Sequence, residues 1–425
     1  LSTWSATRSP AGRFGTPVTP NGRALLTLVE QDAARIRDGA AANDRLGEFP
    51  TDVFERFLDN GVMAGTVPEE LGGMGVSCLS DVATVLETVA AADASTALAL
   101  HVQFSRGLTL TYEWRHGSPP VRALAERLLR GMATERLVIC GAARDHHTAV
   151  TRLTPDGNGG WLLSGRKTLV TLTPIATHFL VHTQKVVDGE PVTLAAAIVD
   201  RTAPGLTVVP KWDGLGMRAS GTYDIAFENC PVSADDVLQR ETIGAHSDRT
   251  LSGQTVSSIT MLGIYAGVAR AARDIAVGTA AHRSAARGTL PPSAIRTMVA
   301  DIETNLFTLR AAAAAALTNA DELNEDLDGD LDERGRRMMV PFQCAKLTVN
   351  RLAQSVVNDA VTIVGGAAYD AAHPLSRLYR DVRAGWFMQP YTYIDAVDFL
   401  SGLALGIDRD NNYLSYRVTP AVAAQ

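Results

Sequence analysis

Apolar positions along the chain change period twice. From about residue 22 to residue 136 they recur at helical spacing, with Leu25, Leu28, Val29, Ala33 and Ile36 forming one stripe. Phe49-Pro50 followed by Val53, Phe54, Phe57 and Leu58 predicts a second helix with proline near its start. The run Val67–Gly75 (VPEELGGMG) breaks the helical pattern. A long Ala- and Leu-rich helix follows, and another covers about Val121–Met132. The apolar stretch Val82–Val102 carries Glu87 and Asp93, so it predicts buried helices rather than a membrane span.

Between Leu137 and about Gln239 the period shortens. Alternating runs at Trp161–Leu163, His178–Thr183, Thr193–Val199, Thr207–Val209 and Tyr223–Phe227 predict a mostly antiparallel β domain of roughly a hundred residues. The helical period returns near Ser252 and lasts to about Leu405, with the Ala311–Ala316 run inside one long helix. The acidic run Asp321–Glu333 predicts an exposed loop between helices. The expected organisation is a loose arm over 1–20, a helical domain over 21–136, a β domain over 137–240, a helical bundle over 241–406 and a tail over 407–425.

Composition narrows the class. The 425 residues suffice for two or three units with a large core. A net charge of −7 argues against a general nucleic-acid surface. The four cysteines (Cys78, Cys140, Cys230, Cys344) are far apart and form no CxxC pair, which argues against a disulfide framework or a metal site. With no long apolar core near residue 1, the expectation is a cytoplasmic protein without membrane contact.

Candidate chemistry concentrates in Asp359–Pro390, DAVTIVGGAAYDAAHPLSRLYRDVRAGWFMQP. A helix ends at Gly365-Gly366, where the chain can turn tightly and expose backbone N–H groups. His373-Pro374 follows, then a basic segment (Arg377, Arg380, Arg383), then Trp386, Phe387, Met388 and Gln389. This order resembles the C-terminal segment of the acyl-CoA dehydrogenase superfamily. There a Gly-Gly touches the flavin dinucleotide of a neighbouring subunit, an Arg-Asp pair follows, and a glutamate removes the α-proton of an acyl thioester. Aligned without a gap from Gly365-Gly366 through Arg380-Asp381, the chain places Gln389 at that glutamate. A neutral amide accepts no proton at pH 7, and general-base catalysis needs a group that does.

Three further stretches resemble the same superfamily. Val67–Gly75 is similar to its IPE-x-x-GG-x-G turn. Gly214–Asn229 (GLGMRASGTYDIAFEN), with Arg218, is similar to its LG-x-R-x-S segment. Gly165–Thr171 resembles its G-x-K-x-W-I-T run, which implies that Thr171 packs on the flavin ring, with Leu169 in place of the usual tryptophan. Read from the residues alone, Leu169–Thr171 is a half-buried strand. Arg283, which opens RSAARG, takes the place of an arginine that reaches the flavin pyrophosphate across a dimer interface; alone it reads as an exposed arginine at a helix end. Val138–Val150 (VICGAARDHHTAV) replaces the T-E-P-x-A-G-S-D loop that meets flavin and substrate, so Arg144, Asp145, His146 and His147 are expected to face the pocket. Adjacent histidines in a strand point to opposite faces, so no metal site is expected. Between Leu251 and Met261 there is no carboxylate, so the alternative base position of some relatives is empty as well.

The resemblance implies a helical N-terminal domain, a β-barrel-like middle domain and a C-terminal four-helix bundle, assembled as a homotetramer. Loss of the glutamate resembles the flavin-dependent monooxygenase branch, and the chain as a whole is most similar to the amino-sugar nitrososynthases. That implies reduced flavin (FAD or FMN) and O2 as cofactors. The substrate would be the amine of a nucleotide-linked (dTDP) sugar, oxygenated through hydroxylamine to nitroso. Arg144 and Met388 become candidate substrate contacts, and Gln389 a positioning group. No GxGxxG follows a strand, so a separate flavin reductase is expected. Two other readings remain: an acyl-CoA dehydrogenase with an unrecognised base, and a flavin-free scaffold.

Overall fold

The structure is a computed structural model that describes residues 14–147, 150–209, 213–243, 248–325 and 330–407. The first unit holds α1 (Pro20–Leu46), α2 (Thr51–Asp59), α3 (Leu79–Ala92), α4 (Ala94–His116) and α5 (Pro119–Thr134). α1 starts where the Thr19 hydroxyl accepts the Gly22 N–H, with Pro20 in the first turn, and stops at Gly47, φ 68°. The apolar stretch over residues 79–116 breaks at Asp93, whose extended backbone ends α3 while its carboxylate accepts the Thr96 N–H at 2.8 Å and starts α4. The Val67–Gly75 turn closes by Gly75 N–H to Val67 O at 2.8 Å, and a Cβ at Gly73 would meet that carbonyl at 2.3 Å.

One eight-stranded sheet follows: β1 (Ile139–Ala142), β2 (Arg152–Pro155), β3 (Trp161–Val170), β4 (His178–Val187), β5 (Glu190–Asp200), β6 (Leu206–Val209), β7 (Tyr223–Val232) and β8 (Val237–Thr242). The path is β6-β7-β3-β2-β4-β5-β8, with β1 parallel to β4 off the path. The alternation found β3 to β7 and did not find β1, β2 and β8. β3 and β7 slip register between Lys167 and Val170, where Leu169 takes φ 59°.

The second helical unit holds α6 (Arg249–Ser258), α7 (Leu262–Arg287), α8 (Ser293–Glu325), α9 (Leu331–Val364), α10 (Pro374–Asp381) and α11 (Tyr393–Ala404). Leu306, Leu309, Ala313 and Leu317 of α8 and Phe342, Val349, Ala353 and Val356 of α9 are fully buried at helical spacing. Each buried leucine or phenylalanine contributes about 1.5–3 kcal/mol. No described helix is long and apolar enough to cross a membrane.

Two expectations change. The acidic run over residues 321–333 is not simply an exposed loop: α8 continues to Glu325 and α9 starts at Leu331. Asp321 is buried and accepts Leu79 N–H at 2.6 Å, Ser80 N–H at 3.2 Å and the Ser80 hydroxyl at 2.6 Å. A carboxylate at the N-terminus of α3 satisfies orphan donors and complements the helix dipole, which explains its burial. The last part of the expected arm is fixed: Phe14 is buried, and Val18 and Thr19 donate their N–H groups to Asp81 at 2.8 and 3.0 Å. Residues 1–13 and 408–425, most of the expected arm and tail, lie outside the described residues.

Candidate active site

α9 ends at Val364, and the chain returns along it through α10 and a 3-10 stretch, Val382–Phe387, to Gln389. One buried lysine shapes this return. Lys346 of α9 is 2% exposed and donates to Met388 O at 2.5 Å and to Tyr391 O. Burial pulls its ammonium down to about 7, against an opposing pull from Asp395. The two gripped carbonyls bracket Gln389. Both polar atoms of the Gln389 side chain are buried without a partner among the described residues. Such an amide points to a ligand.

Nine and eight residues upstream of Gln389, at Arg380 and Asp381, the same return is pinned to the other units. Arg380 donates to both Asp44 carboxylate oxygens, at 3.0 and 2.5 Å. Arg218 donates to Asp44 O at 2.9 Å, to Asp213 Oδ1 at 2.9 Å and to Gly214 O at 3.0 Å. Asp381 accepts Met217 N–H at 2.7 Å. Burial pushes its carboxyl up to about 7, helped by nearby Asp93. Arg218 therefore holds the seam between α1, the loop before β7 and α10.

From this seam a hydroxyl ladder leads to the tip of β3. Ser220 O accepts Leu172 N–H at 3.2 Å, and the Ser220, Thr222 and Thr171 hydroxyls follow at 2.7 and 2.9 Å. Leu169, left-handed and 42% exposed, stands two residues before Thr171. The rewritten loop lies along β3 through Thr168 N–H to Arg144 O and His146 N–H to Arg166 O, both 2.9 Å. Lys167 anchors it by donating to Asp145 Oδ1 at 2.7 Å and Ala143 O at 3.2 Å. The Arg144 side chain is half-buried, with no polar partner among the described residues. His146 and His147 do not alternate as in a strand; their rings approach to 4.1 Å. Among the described residues no three His, Cys, Asp or Glu side chains gather as metal ligands.

Arg283, Gly365 and Gly366 come together elsewhere. Arg283 donates to Ile363 O at 3.0 Å and Val364 O at 2.8 Å, covering the last carbonyls of α9. Gly365 turns the chain at φ 74°. Both glycines are exposed, and a Cβ on either would meet nothing within 4 Å. Along α9, Lys346 and Gly365 are separated by about 28 Å at 1.5 Å per residue. One chain therefore keeps the Gln389 group and the Arg283–Gly366 group apart.

Sequence reasoning missed Lys346 and Arg106. Arg106, on α4, is 8% exposed; its Nη2 donates to the Ser105 and Ser257 hydroxyls at 2.9 and 3.1 Å. It is the only Asp, Glu, Lys or Arg between Asp93 and Glu113, a signal readable in the chain. A cavity of about 240 Å³ lies between the Val67–Gly75 turn, α4 and α6, lined by Thr66, Leu108, Tyr112 and Val256 among others. None of the predicted site residues lines it.

Sequence models of the acyl-CoA dehydrogenase N-terminal, middle and C-terminal domains match residues 23–136, 141–230 and 250–389. The chain belongs to the acyl-CoA dehydrogenase family. It is 59% identical to L-evernosamine nitrososynthase of a Micromonospora species, over 98% of each chain. It is 61% identical to amino sugar nitrososynthase RubN8 of Streptomyces rubradiris, over 97% of each. A crystal structure of KijD3 in complex with FMN and dTDP-3-amino-2,3,6-trideoxy-4-keto-3-methyl-D-glucose superposes with a TM-score of 0.92 at 56% identity. The match covers 98% of this chain and 100% of KijD3.

The residues of this acyl-CoA dehydrogenase family member fit a flavin. Gln389 presents a buried amide without a partner, and the ladder ending at Thr171 presents a hydroxyl beside the exposed Leu169. A flavin ring is apolar on its faces and polar along one edge, which matches that mixture.

Proposed function

We propose that the protein is a two-component flavin-dependent N-oxygenase. It uses reduced flavin and O2 to oxygenate the amine of a dTDP-linked amino sugar, through hydroxylamine to nitroso. The observation that carries this reading is Gln389: a buried, unpartnered amide at the position where the family resemblance puts a carboxylate base. Identity near 60% to two amino-sugar nitrososynthases supports it, as does the FMN and dTDP-sugar complex of KijD3. FMN is the flavin of this reading, as in the KijD3 complex.

Bound reduced flavin together with O2 supplies an electrophilic oxygen atom. The chain's task is to present a neutral amine to it. The Gln389 amide donates and accepts, so it orients a neutral amine without adding charge. A carboxylate there would favour the ammonium, whose nitrogen has no lone pair to give. Lys346 fixes the amide by holding the carbonyls on either side. In this reading Thr171 and Leu169 flank the ring, and Arg144 and Met388 contact the sugar. Arg218 acts through the seam rather than on the cofactor. Gly365, Gly366 and Arg283 serve the site of a neighbouring copy in a homotetramer, and a separate reductase provides the flavin.

The test is incubation with reduced FMN, O2 and a panel of dTDP-amino sugars, read by mass spectrometry for added oxygen. Oxygenated amine is the expected result. Oxidation of acyl-CoA with no oxygenated amine would overturn the reading.

A further inference from the structure

Arg106 is a buried cation without a buried anion. Its Nη2 meets only two hydroxyls, and its Nε is buried with no partner. No carboxylate pairs with it among the described residues. The histidines and the thiol around it are neutral near pH 7, and the other charges acting on them, Lys167 and Arg201, are cations. Burial, with Arg106 adding to it, holds His101 and His182 down to about 3. Burial also raises the Cys140 thiol. Other buried arginines of the chain are paired: Arg310 meets Glu87, and Arg377 lies 3.5 Å from Asp93. The Arg106 charge persists nonetheless, because burial lowers its guanidinium only to about 10. An unpaired buried charge costs several kcal/mol, so an ion that completes the pair is strongly favoured.

Two half-buried residues from other elements border the guanidinium: Gly141 of β1, and Ser257 of α6, whose hydroxyl accepts from Nη2 at 3.1 Å. A Cβ at Gly141 would lie 3.6 Å from the Arg106 Cζ, so the glycine keeps that side free of side chain. α6 also ties this place to α9, where the Thr255 hydroxyl meets the Met339 sulfur at 3.8 Å, two turns before Lys346. Arg283, by contrast, lies roughly 32 Å along α7 from Leu262. The anion at Arg106 is therefore not the one an arginine at the far end of the bundle would hold.

We propose that Arg106 is the anchor for the diphosphate of the nucleotide-sugar substrate, with the Ser105 and Ser257 hydroxyls completing the contact. A guanidinium is suited to phosphoryl oxygens, and a dTDP-sugar carries its charge there. This rests on the proposed substrate class, so the experiment separates the two.

Titrate wild type, Arg106→Gln and Arg106→Lys with dTDP, thymidine and FMN in separate calorimetric runs, and record the Tm of each protein. Wild type should bind dTDP far better than thymidine. Arg106→Gln should lose dTDP affinity by about 30-fold or more, as for truncation of a buried charge partner. Arg106→Lys should recover part of it, and FMN affinity should change less than about twofold. Removing an uncompensated charge should leave the Tm of Arg106→Gln equal or higher, which a purely structural arginine would not do. Unchanged dTDP affinity in Arg106→Gln, or loss of FMN affinity instead, would overturn the proposal. Should Arg106→Gln not fold, the Arg106→Lys titration and the dTDP-to-thymidine ratio of wild type decide the same question. A wild type that binds no dTDP would overturn the substrate class itself.

Discussion

Two groups of polar side chains differ in closure. At the seam, Asp44 receives both arms of Arg380, and Arg218 finds three acceptors. Elsewhere, the Gln389 amide and the Arg106 Nε find none among the described residues. A closed set locks three units together and explains itself. An unpaired polar group in a well-packed interior costs stability until it finds a partner. The two groups should therefore respond differently to substitution. Arg218 belongs to the first: its motif suggested a cofactor contact, and its hydrogen bonds run within the seam.

The sharpest way to break the comparison is to open the closed set. Asp44→Ala leaves Arg380 without its carboxylate and should lower stability by about 3 kcal/mol, read by denaturant unfolding. If stability barely moved, the seam would not be scaffold. The converse substitution acts on the open set. Gln389→Glu should slow oxygen transfer about 100-fold, equivalent to about 2.7 kcal/mol, with the Tm unchanged. Gln389→Ala should slow it only about tenfold, since no proton abstraction is assigned to this amide. Turnover by Gln389→Glu at the wild-type rate would remove the amide from the mechanism.

A smaller effect is expected at Gly366→Val. The added side chain meets nothing in its own chain, so folding should be unaffected, while FMN affinity should fall roughly tenfold, about 1.4 kcal/mol. Unaltered affinity would detach the Arg283–Gly366 group from the cofactor. The smallest effect is a pH dependence from Lys346. Its folded ammonium loses its proton near 7, and the unfolded one near the ordinary 10.5. The folded chain thus binds fewer protons in that window, and this residue's contribution to stability grows as pH rises through it. Against Lys346→Met, wild type should gain about 1 kcal/mol between roughly pH 8 and 9. A pH-independent difference between the two proteins would contradict a lysine that loses its proton near 7 in the folded chain.

Much of the fold was legible because helices and long strands carry a period. The order of helices, sheet and bundle follows from the stripes at Leu25–Ile36 and the alternation at Thr193–Val199. β1 and β2 were not legible: β1 runs through Gly141 and β2 is exposed at Arg152, Thr154 and Pro155, so neither shows an apolar alternation. Asp321 read as solvated because its partners, Leu79 and Ser80, are more than 240 residues away. Gln389 and Thr171 stood out only through resemblance. Arg106 was legible in principle, as one charge in an apolar helix, but the absence of a counter-charge is a three-dimensional fact. Lys346 gave no signal, because a lysine in an amphipathic helix ordinarily faces water.

The length of α9 has a consequence for handling the protein. With about 28 Å along it between Lys346 and Gly365, a flavin that needs both groups must draw them from two chains. Under the shared-site proposal, cofactor occupancy and assembly are then linked by mass action. Dilution should release flavin, added flavin should tighten the assembly, and the apparent dissociation constant should depend on how much protein is in the cuvette.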